Sequence, residues 1–245
     1  MSTLNASALL AAWEQGVYEP PLQRALTLLA TAAPGTAPED WAHSSIGQRD
    51  ALLLTLREEL FGVTLEAVAV CPQCAQQLEL SFSTLDIRVA APALPSNDVS
   101  LRVATHGYEV LCRLPNSADL IEIAQHPASA GHSMLLQRCV QEARCGDHAT
   151  DPAALPDSVI QAVMDEMAKT DPQADVQVAL ACPACRHQWS MSFDILTYLW
   201  SEIDDWAQRL LRDIHALASV YGWSEGDILA LSARRRRLYL EMIGA

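Results

Sequence analysis

Basic charge is scarce in this 245-residue chain, where 16 Lys and Arg stand against 30 Asp and Glu for a formal net charge of -14. A sequence-independent grip on phosphate backbones needs the opposite balance, so nucleic-acid binding is not the expected activity. Long apolar runs are also missing: ALLLTL at 51–56 falls far short of the roughly 20 residues that cross a bilayer. The opening MSTLNASALLAAWEQG has no Lys or Arg before its apolar stretch, and Trp13 and Glu14 interrupt that stretch, which reads as no signal peptide. There is no H-E-x-x-H run and no Gly-rich phosphate loop, and the seven histidines are scattered from His43 to His215. Adjacent carboxylates such as Glu58-Glu59 and Asp204-Asp205 do not face one another on a helix and read as solvated surface. The seven cysteines are too few and too uneven for a disulfide framework. The expectation is a soluble, cytoplasmic protein that is not an enzyme and takes no small-molecule substrate.

Half of the residues are apolar, enough for a real core. Four of the cysteines form two C-P-x-C pairs, Cys71/Cys74 and Cys182/Cys185. TLEAVAV reads as a strand entering the first pair and LELSF as a strand leaving it; VQVALA and QWSMSF flank the second in the same way. Aligned on the cysteines, Gln77 falls on Gln188, Leu78 on Trp189, Leu80 on Met191, Ser81 on Ser192 and Phe82 on Phe193, so the two stretches are a degenerate repeat.

Zinc prefers four tetrahedral ligands, and a C-x-x-C turn between two strands points both sulfurs at one ion, so two such turns complete a site. Cys71, Cys74, Cys182 and Cys185 are therefore the expected ligands of one Zn2+, with His187 beside them rather than among them. Cys74 and Cys182 lie 108 positions apart, which makes the intervening chain an insertion carried by the ribbon. The plain alternative is two pairs of reduced buried thiols without metal. A rival from another class is a thiol-disulfide oxidoreductase or redox-dependent chaperone, but a redox C-x-x-C opens a helix and both pairs here run into strand patterns. Cys112, Cys139 and Cys145 have no partner spacing and read as small buried hydrophobes.

The expected fold is α+β: a zinc ribbon built from two distant knuckles, with an inserted hairpin plus helices and helical ends. Residues 1–62 form an N-terminal helical segment. One helix carries Leu9, Leu10 and Trp13, a second opens at Pro20-Pro21, Pro34, Gly35 and Pro38 break the chain, and a third runs from near Ser45 to a left-handed cap at Gly62. Residues 63–96 hold the first knuckle and a linker, AAPALP at 90–95. Residues 97–175 hold a hairpin turning at His106-Gly107, then helices over ADLIEIA with Ser117 as N-cap, over SMLLQRCVQEA, and over PDSVIQAVMDEMA up to Asp171-Pro172. Residues 176–194 hold the second knuckle. In the arm at 195–245, Leu199, Trp200, Ile203, Trp206, Leu210, Ile214 and Leu217 recur at helical spacing, Ser224 with Asp227 resembles a capping box, and Ser232 caps a last helix.

That last helix carries Arg234, Arg235, Arg236 and Arg237, the one concentrated basic patch. Four successive residues span most of a helix's circumference and cannot all meet one surface. They read either as a solvated face paired in part with Glu202, Asp204 and Asp205, or as a dock for an acidic partner protein. Trp200, Trp206 and Trp223 are packing residues or interface anchors by the same reasoning.

The stretch GQRDALLLTLREELFGVTLEAVAVCPQC, the segment RLPNSADL, the stretch DVQVALACPACRHQWSMSFDILTYLWSEI and the ending LLRDIHALASVYGWSEGDILALSARRRRLYLEMI resemble a family encoded with phage-tail-like contractile injection systems and related to baseplate hub proteins of contractile-tailed bacteriophages. The Y-G-W-S-E-x-x-I-L-x-L-S ending is the most specific part. The resemblance implies a structural or assembly role in a baseplate or hub, with hub, spike or tube proteins as partners, a place in an assembled particle, and no catalytic residues.

Overall fold

The computed structural model describes residues 4–89, 100–127 and 131–244. Along the chain come α1 (Ala6–Gly16), α2 (Pro21–Ala32), α3 (Pro38–His43), α4 (Ile46–Phe61), β1 (Thr64–Val70), β2 (Gln77–Ser83), α5 (Thr84–Ile87), β3 (Ser100–Thr105), β4 (Tyr108–Arg113) and α6 (Ser117–Ile123). There follow α7 (Gly131–Cys139), β5 (Val140–Cys145), β6 (His148–Ala149), α8 (Asp157–Thr170), β7 (Gln177–Ala181), β8 (Gln188–Ser192), α9 (Ile195–Tyr221), α10 (Glu225–Leu229) and α11 (Ala233–Ile243). These fall into two compact units, one made of residues up to 33 with those from 196 onward, the other of Pro34–Ile195.

In the first unit the long apolar stripe of α9 buries Leu199, Ile203, Ala207, Leu210, Ile214 and Leu217. Leu10 from α1 and Ile228 from α10 close over its second half. Gly16 lies so near Trp200 that an added Cβ would sit 2.5 Å from the indole, and Arg24 covers that ring at 4.6 Å. Ser224 with Asp227 forms the expected capping box, and the Ser232 hydroxyl accepts from the Arg235 amide.

The second unit contains the two knuckle hairpins, β1-β2 and β7-β8, each a separate two-stranded sheet. Between them lies more than a hairpin: β3-β4-β5-β6 form a four-stranded antiparallel sheet. It shares a core with α7 and α8 through Val110, Cys112, Leu136, Val140, Val159 and Val163. His106 and Gly107 both take positive φ, 51° and 80°, as a two-residue turn between right-twisted strands requires. The single helix expected over SMLLQRCVQEA stops at Cys139, and Val140 begins β5. Asn116, not Ser117, caps α6, its side chain accepting from the Asp119 amide. A short helix, α3, forms where prolines alone read as a break, and α5 follows β2 directly. Gly62 has φ +88° and ψ -167°, an extended glycine-only conformation rather than the left-handed cap, and it feeds α4 straight into β1. The linker at 90–95 lies outside the described residues.

Candidate metal centre

Each knuckle is built by the same backbone. The Cys71 amide donates to the Gln76 carbonyl and the Ala75 amide to the Cys71 carbonyl; in the second, the Cys182 amide donates to His187 and the Arg186 amide to Cys182, all at 2.9–3.0 Å. Ala75 and Arg186 both take left-handed φ, 58° and 63°, which tightens the turn until both sulfurs point the same way. Strand register is repeated too, with Val70 opposite Gln77 and Ala181 opposite Gln188. The repeat inferred from sequence is a structural repeat.

The two copies meet reciprocally. Cys71 Sγ lies 3.7 Å from Cys185 Sγ and Cys74 Sγ 3.6 Å from Cys182 Sγ, so each inner sulfur faces the outer sulfur of the other knuckle. All four lie within 4.8 Å of one another, a cluster able to hold a metal ion. Phe82 and its repeat partner Phe193 meet edge to face at 5.9 Å. Leu78, Leu80 and Trp189 pack against the buried Cys71 and Cys182, keeping water from one side of the cluster, while Cys74 and Cys185 sit on the solvent side.

Charge is unevenly shared among these thiols. Amide donors at Cys185 and Ala184 draw the Cys182 thiol down to about 7. At Cys74 the Gln76 amide pulls downward but is outweighed by the neighbouring thiols and desolvation, and the group is pushed up to about 12. Four sulfurs this close cannot all ionise without a cation between them. His187 contributes its backbone, donating to the Cys185 sulfur, while its ring stacks on Trp189 at 5.9 Å. Neither pair opens a helix, since β2 and β8 follow directly, so the helix-terminus setting of a redox C-x-x-C is missing.

A model of the family described as the T4 bacteriophage base plate protein matches residues 26–199. The chain belongs to this family. No curated protein and no solved structure matches it. Membership gives the baseplate protein a structural role and other baseplate proteins as its contacts. No helix among the described residues is long and apolar enough to cross a membrane. The matched span takes in both knuckles and the sheet between them but ends at Leu199, so the ending at 221–232 lies beyond it.

Two polar clusters inside the matched span were invisible as such in the sequence. Asp119, 1% exposed, accepts a fork from Arg113 at 2.6 and 2.8 Å and a third bond from Arg138 at 2.8 Å, and these guanidiniums hold its carboxyl below the ordinary range against the upward push of desolvation. Asp171 accepts from the Gly47 amide at 2.9 Å at the start of α4, where the Ser45-Gln48 capping box also sits. The signal in both cases is the RLPNSADL and GQRD stretches, whose residues prove to be structural. Among the other cysteines, Cys112 and Cys139 are buried and pushed up to about 11 and 12 by desolvation, whereas Cys145 is exposed at the end of β5, not buried as expected.

Of the residues expected at an interface, Trp223 stacks on Tyr221 and meets Tyr239 edge-on, and Trp206 packs beside the α9 core. Arg234, Arg235 and Arg237 are exposed, whereas Arg236 is buried. Asp204 is engaged by Trp13 and Gln208.

Proposed function

We propose that the chain is a non-enzymatic, zinc-stabilised structural or assembly protein of the baseplate or hub of a phage-tail-like contractile injection system. It acts through contacts with hub, spike or tube proteins, and it is made in the cytoplasm before entering a particle. The observation that carries this reading is the reciprocal convergence of four thiols from two knuckles 108 residues apart, inside a span that matches a baseplate family. Sulfurs placed tetrahedrally about 2.3 Å from one ion are separated by about 3.8 Å. The 3.6 and 3.7 Å approaches fit that spacing, and a pure sulfur set suits zinc. When bound, the ion would link two hairpins that share only a small apolar cluster, adding its binding energy to folding.

Metal analysis of the purified protein tests the zinc reading, with about one zinc per chain, retained in mild reductant, as the expected result. Metal-free protein with a thiol titrating near neutral pH would replace it with the oxidoreductase or redox-chaperone reading. Purification of particles from the native host tests the placement. The chain should travel with sheath, tube or spike components, and absence from both mature particles and assembly intermediates would overturn the injection-system assignment.

A further inference from the structure

Within the first unit, α9 and α11 present one stripe each to a shared cleft of about 440 Å³. Trp206, Leu210 and Leu240 supply its apolar part. Arg209 and Arg212 reach it from α9 and Arg236 and Arg237 from α11, against only Asp213 and Glu241. The sequence run of four arginines is thus split, with Arg234 and Arg235 outside the lining and two arginines of another helix inside it. The cleft lies beyond Leu199, outside the residues that match the baseplate family.

We propose that this cleft is a docking site for an acidic peptide segment of a partner protein. The proposal rests on reading the chain as a protein-binding baseplate component and names the chemistry of that partner. In a protein of net charge -14 with 16 basic residues, gathering four of them on one cleft gives a local field opposite to that of the whole chain. Arg236 is 8% exposed and its buried Nη1 has no hydrogen-bond partner, a state that is unfavourable until an acceptor arrives. Asp213 is a poor internal substitute: burial lifts its carboxyl above the ordinary range in spite of Arg236, Arg212 and Arg209. Guanidinium forks match carboxylates in two-pronged fashion. Trp206, Leu210 and Leu240 add what a bare anion does not need, a surface for apolar side chains of a peptide.

The test uses the full, metal-loaded chain and fluorescence anisotropy of a labelled peptide of alternating Glu and Leu, with the Gln/Leu analogue and inorganic phosphate as controls. The Glu/Leu peptide should bind at low salt and the analogue at least about tenfold more weakly. Arg209→Gln with Arg237→Gln, both at exposed positions, should weaken the Glu/Leu peptide by about tenfold or more while helicity and metal content stay unchanged. Arg236→Lys, which keeps charge but loses the fork, should weaken it as well. Equal binding to wild type and the double variant overturns the proposal, as does a site that takes phosphate but no peptide. Neither substitution touches the thiols, so loss of metal and loss of peptide are read separately.

Discussion

At the knuckles each sulfur lies within 4.8 Å of three others, so Cys182→Ser does more than remove one ligand. It leaves Cys74 facing a hydroxyl at a place where their sulfurs were 3.6 Å apart, and it opens the buried side of the cluster. Structural zinc contributes on the order of 10–16 kcal/mol of apparent folding free energy in small zinc domains, comparable to the 5–15 kcal/mol of net stability of a typical domain. Cys182→Ser should therefore bind far less than one zinc per chain and lose several kcal/mol in chemical denaturation; full zinc content in the variant would show that the ion sits elsewhere. Asp50 gives a second prediction, of opposite sign to that of most carboxylates. Its carboxyl is raised to about 6, first by burial, with Arg49 at 2.8 Å opposing and Asp194 and Asp171 reinforcing. The folded protein thus holds this proton more tightly than the unfolded chain, and stability from this group should rise as pH falls from about 6 to about 4. Asp50→Asn should remove that slope, and the difference between wild type and variant isolates it from proton-driven metal release. Parallel pH profiles would contradict the assignment.

Among the elements, α4 shows what one glycine does. An added Cβ on Gly47 would lie 2.0 Å from Asp171 Oδ1 and 2.9 Å from the backbone nitrogen of Ala174, and only the carboxylate can rotate away. Gly47→Ala should displace Asp171 from the helix start and lower stability by roughly 2 kcal/mol, read as a shift in denaturation midpoint; an unchanged midpoint would mean that the Asp171 contact contributes nothing. The capping box of α4 was half legible, since Ser45 stands just before the periodic leucines, but Asp171 is distant in sequence and no local pattern reports it. Periodicity failed at β5 for a definable reason. Val140 and Ala143 point to the core three residues apart because the ladder with β4 shifts register at Leu111/Cys112, and a bulge there leaves a helix-like spacing on a strand. The knuckles were legible from cysteine spacing and flanking alternation. Their left-handed corners were not, because Ala75 and Arg186 occupy positions where glycine would have announced the turn.

For the whole molecule, the question is what holds β1-β2 to β7-β8. The cluster that joins the hairpins consists of Cys71, Leu78 and Cys182 with Leu80 and Trp189 beside them, whereas the sheet inserted between them in sequence has a core of its own. Burying a few side chains at about 25 cal/mol per Å² does not offset ordering two long hairpins, so the hairpin pair should depend on metal far more than the inserted sheet does. Removing the metal with a chelator and following amide hydrogen exchange tests this division. Protection in β1, β2, β7 and β8 should fall by at least about tenfold, while β4 and α8, anchored by Val110, Val159 and Val163 at 0% exposure, keep theirs. Uniform loss across both regions would mean that Pro34–Ile195 unfolds as one cooperative block with the ion as its keystone. Unchanged exchange would mean that Phe82, Phe193 and the apolar cluster suffice without it.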